Sequence, residues 1–158
     1  MKILKSFILF ICFISLAKEP DLKWKNFSSG LVEAKKSNKI ILVDVYTDWC
    51  KWCKEMDKNT YSNNEVIKYL NKNFVVVKLN AEGSDTFVYN GKKYSSPELS
   101  QYFNVDGYPA TLFLKSNGDI ITLLPGYNEA PMFLKVLSFI NEEKYKTMDF
   151  DKYIETKK

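Results

Sequence analysis

The stretch Val43–Lys54, VDVYTDWCKWCK, decides the fold. Its first half belongs to an apolar run, Ile40–Thr47, IILVDVYT, whose β-branched residues suit a strand buried on both faces. Its second half holds Cys50 and Cys53, and the segment after Cys50 is helical in composition to about Asn59. Cys50 therefore sits where a buried strand turns into a helix, with Cys53 one turn further in. A pair at this spacing is a redox dithiol, half of a metal site, or a structural disulfide.

Composition weighs these readings. The chain has no His, which excludes Ser-His-Asp and Cys-His catalysis by this chain alone. The lack of His also removes the commonest zinc and copper ligand, and two cysteines fall short of a tetrahedral zinc set. A staple across so short a loop restricts the unfolded chain very little. A redox dithiol fits the position better. The unpaired N–H groups and partial positive charge of a helix start stabilise a thiolate at Cys50. Lys51 and Lys54 add positive charge, and a lowered thiol pKa makes a nucleophilic cysteine. The second cysteine then resolves the mixed disulfide formed by the first.

The third cysteine, Cys12, lies in Met1–Ala17, MKILKSFILFICFISLA. Lys2 and Lys5 precede the apolar Phe7–Leu16, and Ser15 and Ala17 place small residues where a signal peptidase needs them. The apolar run is shorter than the roughly 18–20 residues that span a bilayer, which favours a cleaved signal over a retained anchor. The expected division is a signal peptide at 1–17 and one domain at 18–158. Cys12 leaves with the signal, and an exported chain meets oxidising conditions. At 158 residues and 46% hydrophobic, the chain builds one ordinary core. Its 23 lysines are spread among 19 acids, with no Arg to fork onto phosphate. That pattern reads as a solvated surface and argues against nucleic-acid binding.

Helical and strand patterns alternate along the chain. Ser28 or Ser29 is placed to cap a helix to about Ser37. SNNE at Ser62–Glu65 has capping-box spacing and opens a helix to about Asn71. Phe74–Asn80, FVVVKLN, is a second buried strand. Ala81–Tyr94 breaks the rhythm, with Asn90-Gly91 favouring a tight hairpin turn. Ser96-Pro97 begins a short helix to Phe103. Ala110–Lys115 and Asp119–Leu124 flank SNGD as an antiparallel hairpin. A last helix runs from about Pro131 to Glu143, with Met132, Val136, Leu137 and Ile140 on one face. The order α-β-α-α-β-α-β-β-α implies a central mixed sheet flanked by helices.

Further residues stand out near the dithiol. Asp44 interrupts the first buried strand, and an unpaired acid there is a candidate for a raised pKa and for proton transfer. Lys78 interrupts the second strand in the same way. Neighbouring strands let the two pair, unless both point outward at strand ends. Asp57, one turn past Cys53, either approaches the same sulfur or is a surface acid beside Lys54 and Lys58. Tyr108-Pro109, ahead of a strand, is compatible with a cis bond or with an ordinary trans turn.

Together, ILVDVYTDWCKWCK, VVVKLN and VDGYPATLFL resemble the thioredoxin superfamily over nearly all of residues 18–158. DVYTDWCKWCKEMDKNTYSNNEV, PATLFLKSNGD and PGYNEA are most similar to the C-terminal thioredoxin-like domain of the reductant carrier DsbD and to small exported proteins of that branch. The resemblance implies a thioredoxin fold with an insertion around 81–104. It implies an exposed attacking thiolate at Cys50 and a buried resolving thiol at Cys53. Asp44 falls on the family's buried acid, Lys78 on the lysine near it, and Asp57 on a second acid of the DsbD-like branch. Trp49 falls on the aromatic before the first cysteine, and Tyr108-Pro109 on the cis-proline segment that holds an extended substrate. The dipeptide between the cysteines is Lys51-Trp52 rather than Gly-Pro, and that dipeptide affects reduction potential in the superfamily. Residues 81–94, longer than in plain thioredoxin, are a candidate partner surface.

The expected function is a periplasmic thiol–disulfide oxidoreductase of a Gram-negative envelope, acting as a reductase through Cys50 and Cys53. It needs no cofactor beyond that redox-active disulfide and no metal. Its expected substrates are protein thiols and disulfides, its electron donor a membrane protein of DsbD type, and its own membrane contact at most an uncleaved signal. The alternatives are a disulfide oxidase or isomerase on the same fold, or a binding or chaperone module without catalysis.

Overall fold

A computed structural model describes residues 21–157; the proposed signal at 1–17, with Cys12, lies outside them. The elements are α1 (Phe27–Ser37), β1 (Ile40–Tyr46), α2 (Lys51–Met56), a π-helical turn (Asp57–Tyr61), α3 (Asn64–Asn73), β2 (Phe74–Asn80), β3 (Thr86–Tyr89), β4 (Lys92–Ser95), α4 (Ser96–Tyr102), β5 (Ala110–Leu114), β6 (Ile120–Pro125), α5 (Ala130–Asn141), a 3-10 turn (Lys144–Lys146) and α6 (Phe150–Thr156). No helix among the described residues is long and apolar enough to cross a membrane.

The main sheet has the order β2-β1-β5-β6. β1 runs parallel to β2 and antiparallel to β5, and β5 to β6 is an antiparallel hairpin. β1 is thus paired on both edges, and its continuous apolar run buries both faces. On one face Ile41, Val43 and Val45 pack with Phe27 and Ala34 of α1 and with Phe87 and Tyr89 of the β3–β4 hairpin. On the other, Leu42 and Phe113 pack with Val66 and Leu70 of α3, and with Phe133 and Leu137 of α5. This alternation places Asp44 on the α3–α5 side, the side to which Met56 of α2 and Tyr61 also contribute.

The insertion forms its own two-stranded sheet followed by α4. Asn90 and Gly91 have φ of 50° and 76°, as a two-residue hairpin turn requires. An aromatic cluster docks the hairpin. The Phe27 ring lies 5.6 Å from Phe87, and Tyr89 lies 5.2 Å from Phe103. The Tyr89 hydroxyl donates to the Gly118 carbonyl at 2.8 Å, tying the insertion to the β5–β6 turn.

Several local expectations are corrected. The α1 cap is Asn26, whose side chain accepts from the Ser29 N–H at 2.8 Å; Ser28 and Ser29 lie inside the first turn. α3 is capped by Asn63 alone, because Ser62 ends the preceding turn and donates to the Lys58 carbonyl. The α4 capping box is built on Ser95 and Glu98, because Ser96 is buried and its hydroxyl donates to the Asp85 carbonyl. Met132 is exposed and Phe133 takes its place in the core. The buried residues of α5 are Ala130, Phe133, Val136, Leu137, Phe139 and Ile140, so Val136, Leu137 and Ile140 lie inward as expected and only Met132 does not.

Gly30 of α1 faces β2 so closely that an added Cβ would lie 2.2 Å from Val77 Cγ2. Alanine is favoured over glycine in a helix by about 1 kcal/mol, but overpacking costs about 1–3 kcal/mol. Gly30→Ala is therefore expected to lower the urea midpoint, and to become near neutral in a Val77→Ala background. A midpoint unchanged by Gly30→Ala alone would contradict the close contact.

Candidate active site

β1 delivers the chain to the site. Tyr46 ends the strand, the Thr47 carbonyl accepts from the Cys50 N–H at 3.2 Å, and α2 starts at Lys51. Cys50 is the N-cap of α2 and accepts at Sγ from the Cys53 N–H at 3.1 Å. That N–H stabilises a negative sulfur once Cys50 is reduced. Lys51 and Lys54 are exposed around the same turn. The two cysteines are joined as a disulfide. In this state Cys50 is 4% exposed and Cys53 5%, so the expected contrast between an exposed and a buried cysteine is not seen. The cap position folds Sγ back over the first turn, and the bond ties it to a residue inside the helix.

Two exposed indoles flank the disulfide, Trp49 at 66% and Trp52 at 57%. Trp49 donates from Nε1 to Glu82 at 2.8 Å and meets the Tyr108 ring at 6.1 Å. Trp52 meets Tyr127 at 5.4 Å. The Tyr108–Pro109 peptide is cis, and the Pro109 carbonyl accepts from the Gly126 N–H at 2.8 Å. The loops before β5 and after β6 thereby stand together beside the two indoles. Burial, then the charge of Glu82, pushes the Tyr108 phenol above its usual range.

The parallel register sets Asp44 opposite Lys78 on β2, and Thr111 of β5 opposite Asp44 on the other side. Asp44 is 2% exposed. Lys78 Nζ reaches Asp44 at 2.9 Å and Asp57 at 2.6 Å, so one ammonium serves two carboxylates. The Tyr61 hydroxyl donates to Asp44 at 3.4 Å. Burial dominates at Asp44 and outweighs the attraction of Lys78, raising its pKa from 3.8 to about 6. Burial works against the Lys78 ammonium, yet the two carboxylates hold its pKa above the ordinary lysine value. Tyr61, buried and then facing the Asp44 charge, is pushed well above the usual phenol range.

The structure thus joins Asp44, Lys78 and Asp57 in one cluster, and sets Trp49 and Trp52 next to the cysteines in the chain, with Tyr108 of the cis Tyr108–Pro109 segment against Trp49. Asp57 spends its side chain on Lys78 and stays half exposed. Sequence reasoning missed Tyr61, although Asp57 and Tyr61 stand four apart on one helical face. It also missed Tyr127 and Glu82, which come from distant segments with no local signal. No group of residues able to hold a metal ion occurs among the described residues.

This arrangement can pass two electrons and a proton: a disulfide at a helix start for the electrons, and a buried carboxyl able to be protonated near neutral pH. Comparison with known proteins places it. The family described as Thioredoxin-like domain matches residues 27–141. The Thiol:disulfide interchange protein DsbD of Yersinia pestis (strain Pestoides F) is 32% identical over 108 residues, 67% of this chain and 17% of that protein. The protein of that name from Escherichia coli (strain K12) is 34% identical over 91 residues, 58% of this chain and 14% of the other. The chain therefore spans about a sixth of the length of these relatives. A thioredoxin-fold protein from Helicobacter pylori superposes with TM-score 0.65 and 26% identity, covering 77% of this chain and 80% of that one. The DsbD C-terminal domain of Neisseria meningitidis superposes with TM-score 0.53 and 23% identity, over 70% and 90% of the two chains, and shares the fold.

The Asp44 shift has a stability consequence whose sign follows from linkage. The folded chain holds a proton on Asp44 up to about pH 6, whereas the unfolded chain releases it near pH 4. Stability supplied by that proton is present below pH 4, falls as pH rises to 6, and is gone above. Asp44→Asn is expected to stabilise the oxidised protein above pH 6 by about 1–3 kcal/mol, with the gain shrinking toward zero near pH 4. Chemical denaturation at pH 4 and pH 8 checks this; a gain independent of pH contradicts it.

Proposed function

The chain belongs to the thioredoxin-like family, and we propose that it is an exported thiol–disulfide oxidoreductase acting as a reductase of protein disulfides in the periplasm. The observation that carries this reading is the Cys50–Cys53 disulfide at the start of α2, with the Cys53 N–H aimed at Cys50 Sγ. The interchange activity named for the DsbD relatives supports it.

In the reduced form the Cys50 thiolate attacks one sulfur of a substrate disulfide. A Cys50–substrate bond forms, and one substrate thiolate leaves and takes up a proton. Cys53 gives its proton to the Asp44 carboxylate and attacks Cys50 Sγ. The Cys50–Cys53 bond forms, and the second substrate sulfur leaves as a thiolate and takes up a proton from water. Two electrons have passed to the substrate. Lys78 and Asp57 hold Asp44 for this step. Trp49, Tyr108 and Pro109 hold the extended substrate chain, and Lys51 and Trp52 tune the potential. A donor dithiol of DsbD type, in the membrane, returns the two electrons. Residues 1–17 direct export and are removed after Ala17, which N-terminal sequencing of the exported protein checks.

Two measurements test the reading. Cys53→Ser leaves the attacking thiol without its resolving partner. It is expected to accumulate mixed disulfides through Cys50 and to abolish insulin reduction, whereas Cys50→Ser traps nothing. Equilibration against glutathione or dithiothreitol gives the direction. A potential near thioredoxin's, about −270 mV, fits a reductase, and one near about −120 mV overturns it in favour of a disulfide oxidase.

A further inference from the structure

The segment ahead of α1 is built into the acid–base cluster. Lys25 forms a parallel bridge with Val77; its N–H donates to the Val76 carbonyl at 3.0 Å, and its carbonyl accepts from the Lys78 N–H at 3.0 Å. These bonds extend the sheet beyond β2 and fix the neighbouring residue, Trp24. The Trp24 ring meets Tyr61 edge-on at 5.0 Å and lies 5.0 Å from Lys78 Nζ. It walls a cleft of about 390 Å³, lined also by Leu22, Asp57, Tyr61, Ser62 and Lys78. The family match begins at residue 27, so Trp24 lies ahead of it.

We propose that Trp24 is a positioning residue for Asp44: its ring holds the Lys78 ammonium against the carboxylate and keeps water from the space between them. Trp24 and Tyr61 are the aromatic residues of this cleft, which Asp57 and Lys78 also line. An indole face is the best of the aromatic partners for an ammonium. The charged and titratable groups facing Asp44 are Lys78 of β2 and Asp57 and Tyr61 of the π-helical turn, and β5 adds the uncharged Thr111. Asp21 lines the same cleft. Asp57, at 2.6 Å, still holds Lys78 after loss of the ring, so the change that reaches Asp44 is hydration, which favours the charged carboxylate.

The test follows the Asp44 carboxyl carbon by NMR during a pH titration of the oxidised full chain, with Asp44→Asn assigning the resonance. Trp24→Ala is expected to move the midpoint down by about one pH unit, a tenfold change in protonation equilibrium. Trp24→Phe, which keeps a ring, is expected to stay close to wild type. Where Trp24→Ala yields no folded protein, Trp24→Gln, which fills part of the space but is polar and admits water, serves in its place and moves the midpoint the same way. A midpoint unchanged or raised in the Ala or Gln variant overturns the proposal, as does a Phe variant that falls as far as Ala. The kinetic arm rests on the oxidoreductase reading: the pH profile of insulin reduction shifts with the titration. If wild type reduces no insulin, that reading fails while the carboxyl titration still decides the role of Trp24.

Discussion

The ion pair between Asp44 and Lys78 is the constraint around which one end of this protein is arranged. β1 is apolar because it lies inside the sheet with both edges paired. A carboxylate in such a strand costs several kcal/mol unless it is neutralised or paired. The β1–β2 register places Lys78 directly opposite. A slip of one residue would turn Asp44 to the other face, away from Lys78 and Tyr61. Pairing does not cancel the cost of burial, and the residual imbalance keeps the carboxyl protonatable near neutral pH. The same strand ends at Tyr46, and a short turn carries the chain from it to Cys50, so acid and dithiol are positioned by one element and the turn that follows it.

Around this axis the contributions come from far along the chain. The loops before β5 and after β6 supply Tyr108, Pro109 and Tyr127 to the indoles on either side of the disulfide. Glu82, at the start of the insertion, anchors Trp49. The segment before α1 supplies Trp24. Thiol chemistry needs the sulfurs at a helix start, and it also needs a surface that holds a partner chain and a controlled supply of protons. Here the surroundings of the disulfide and of the buried acid are rings and a lysine, in a chain without histidine.

Much of this was legible in local pattern. The two long strands were readable because double burial demands continuous β-branched runs. Cys50 and Cys53 were readable as a redox pair because their spacing and the absence of His removed competing uses. Asp44 and Lys78 announced themselves as polar breaks in apolar strands. The errors in helix caps and faces were of two kinds. Cap positions slipped by one or more residues at α1, α3 and α4, because neighbouring Ser and Asn residues offer equivalent oxygens and only backbone geometry selects one. Met132 was placed inside and Phe133 proved to be, because the start of α5 sets the phase of its buried stripe.

The sequence by itself determined the alternation of strands and helices, the site of the dithiol, and the presence of an acid and a lysine as polar breaks in two apolar strands. These follow from side-chain chemistry and near-neighbour spacing. Only the tertiary structure decided that one ammonium bridges Asp44 and Asp57, that the rings of Trp24, Tyr46 and Tyr61 surround it, and that two Trp–Tyr pairs stand beside the disulfide. Those contacts join residues from about 20 to over 70 positions apart, and their meeting depends on sheet register and helix packing, which no local spacing encodes.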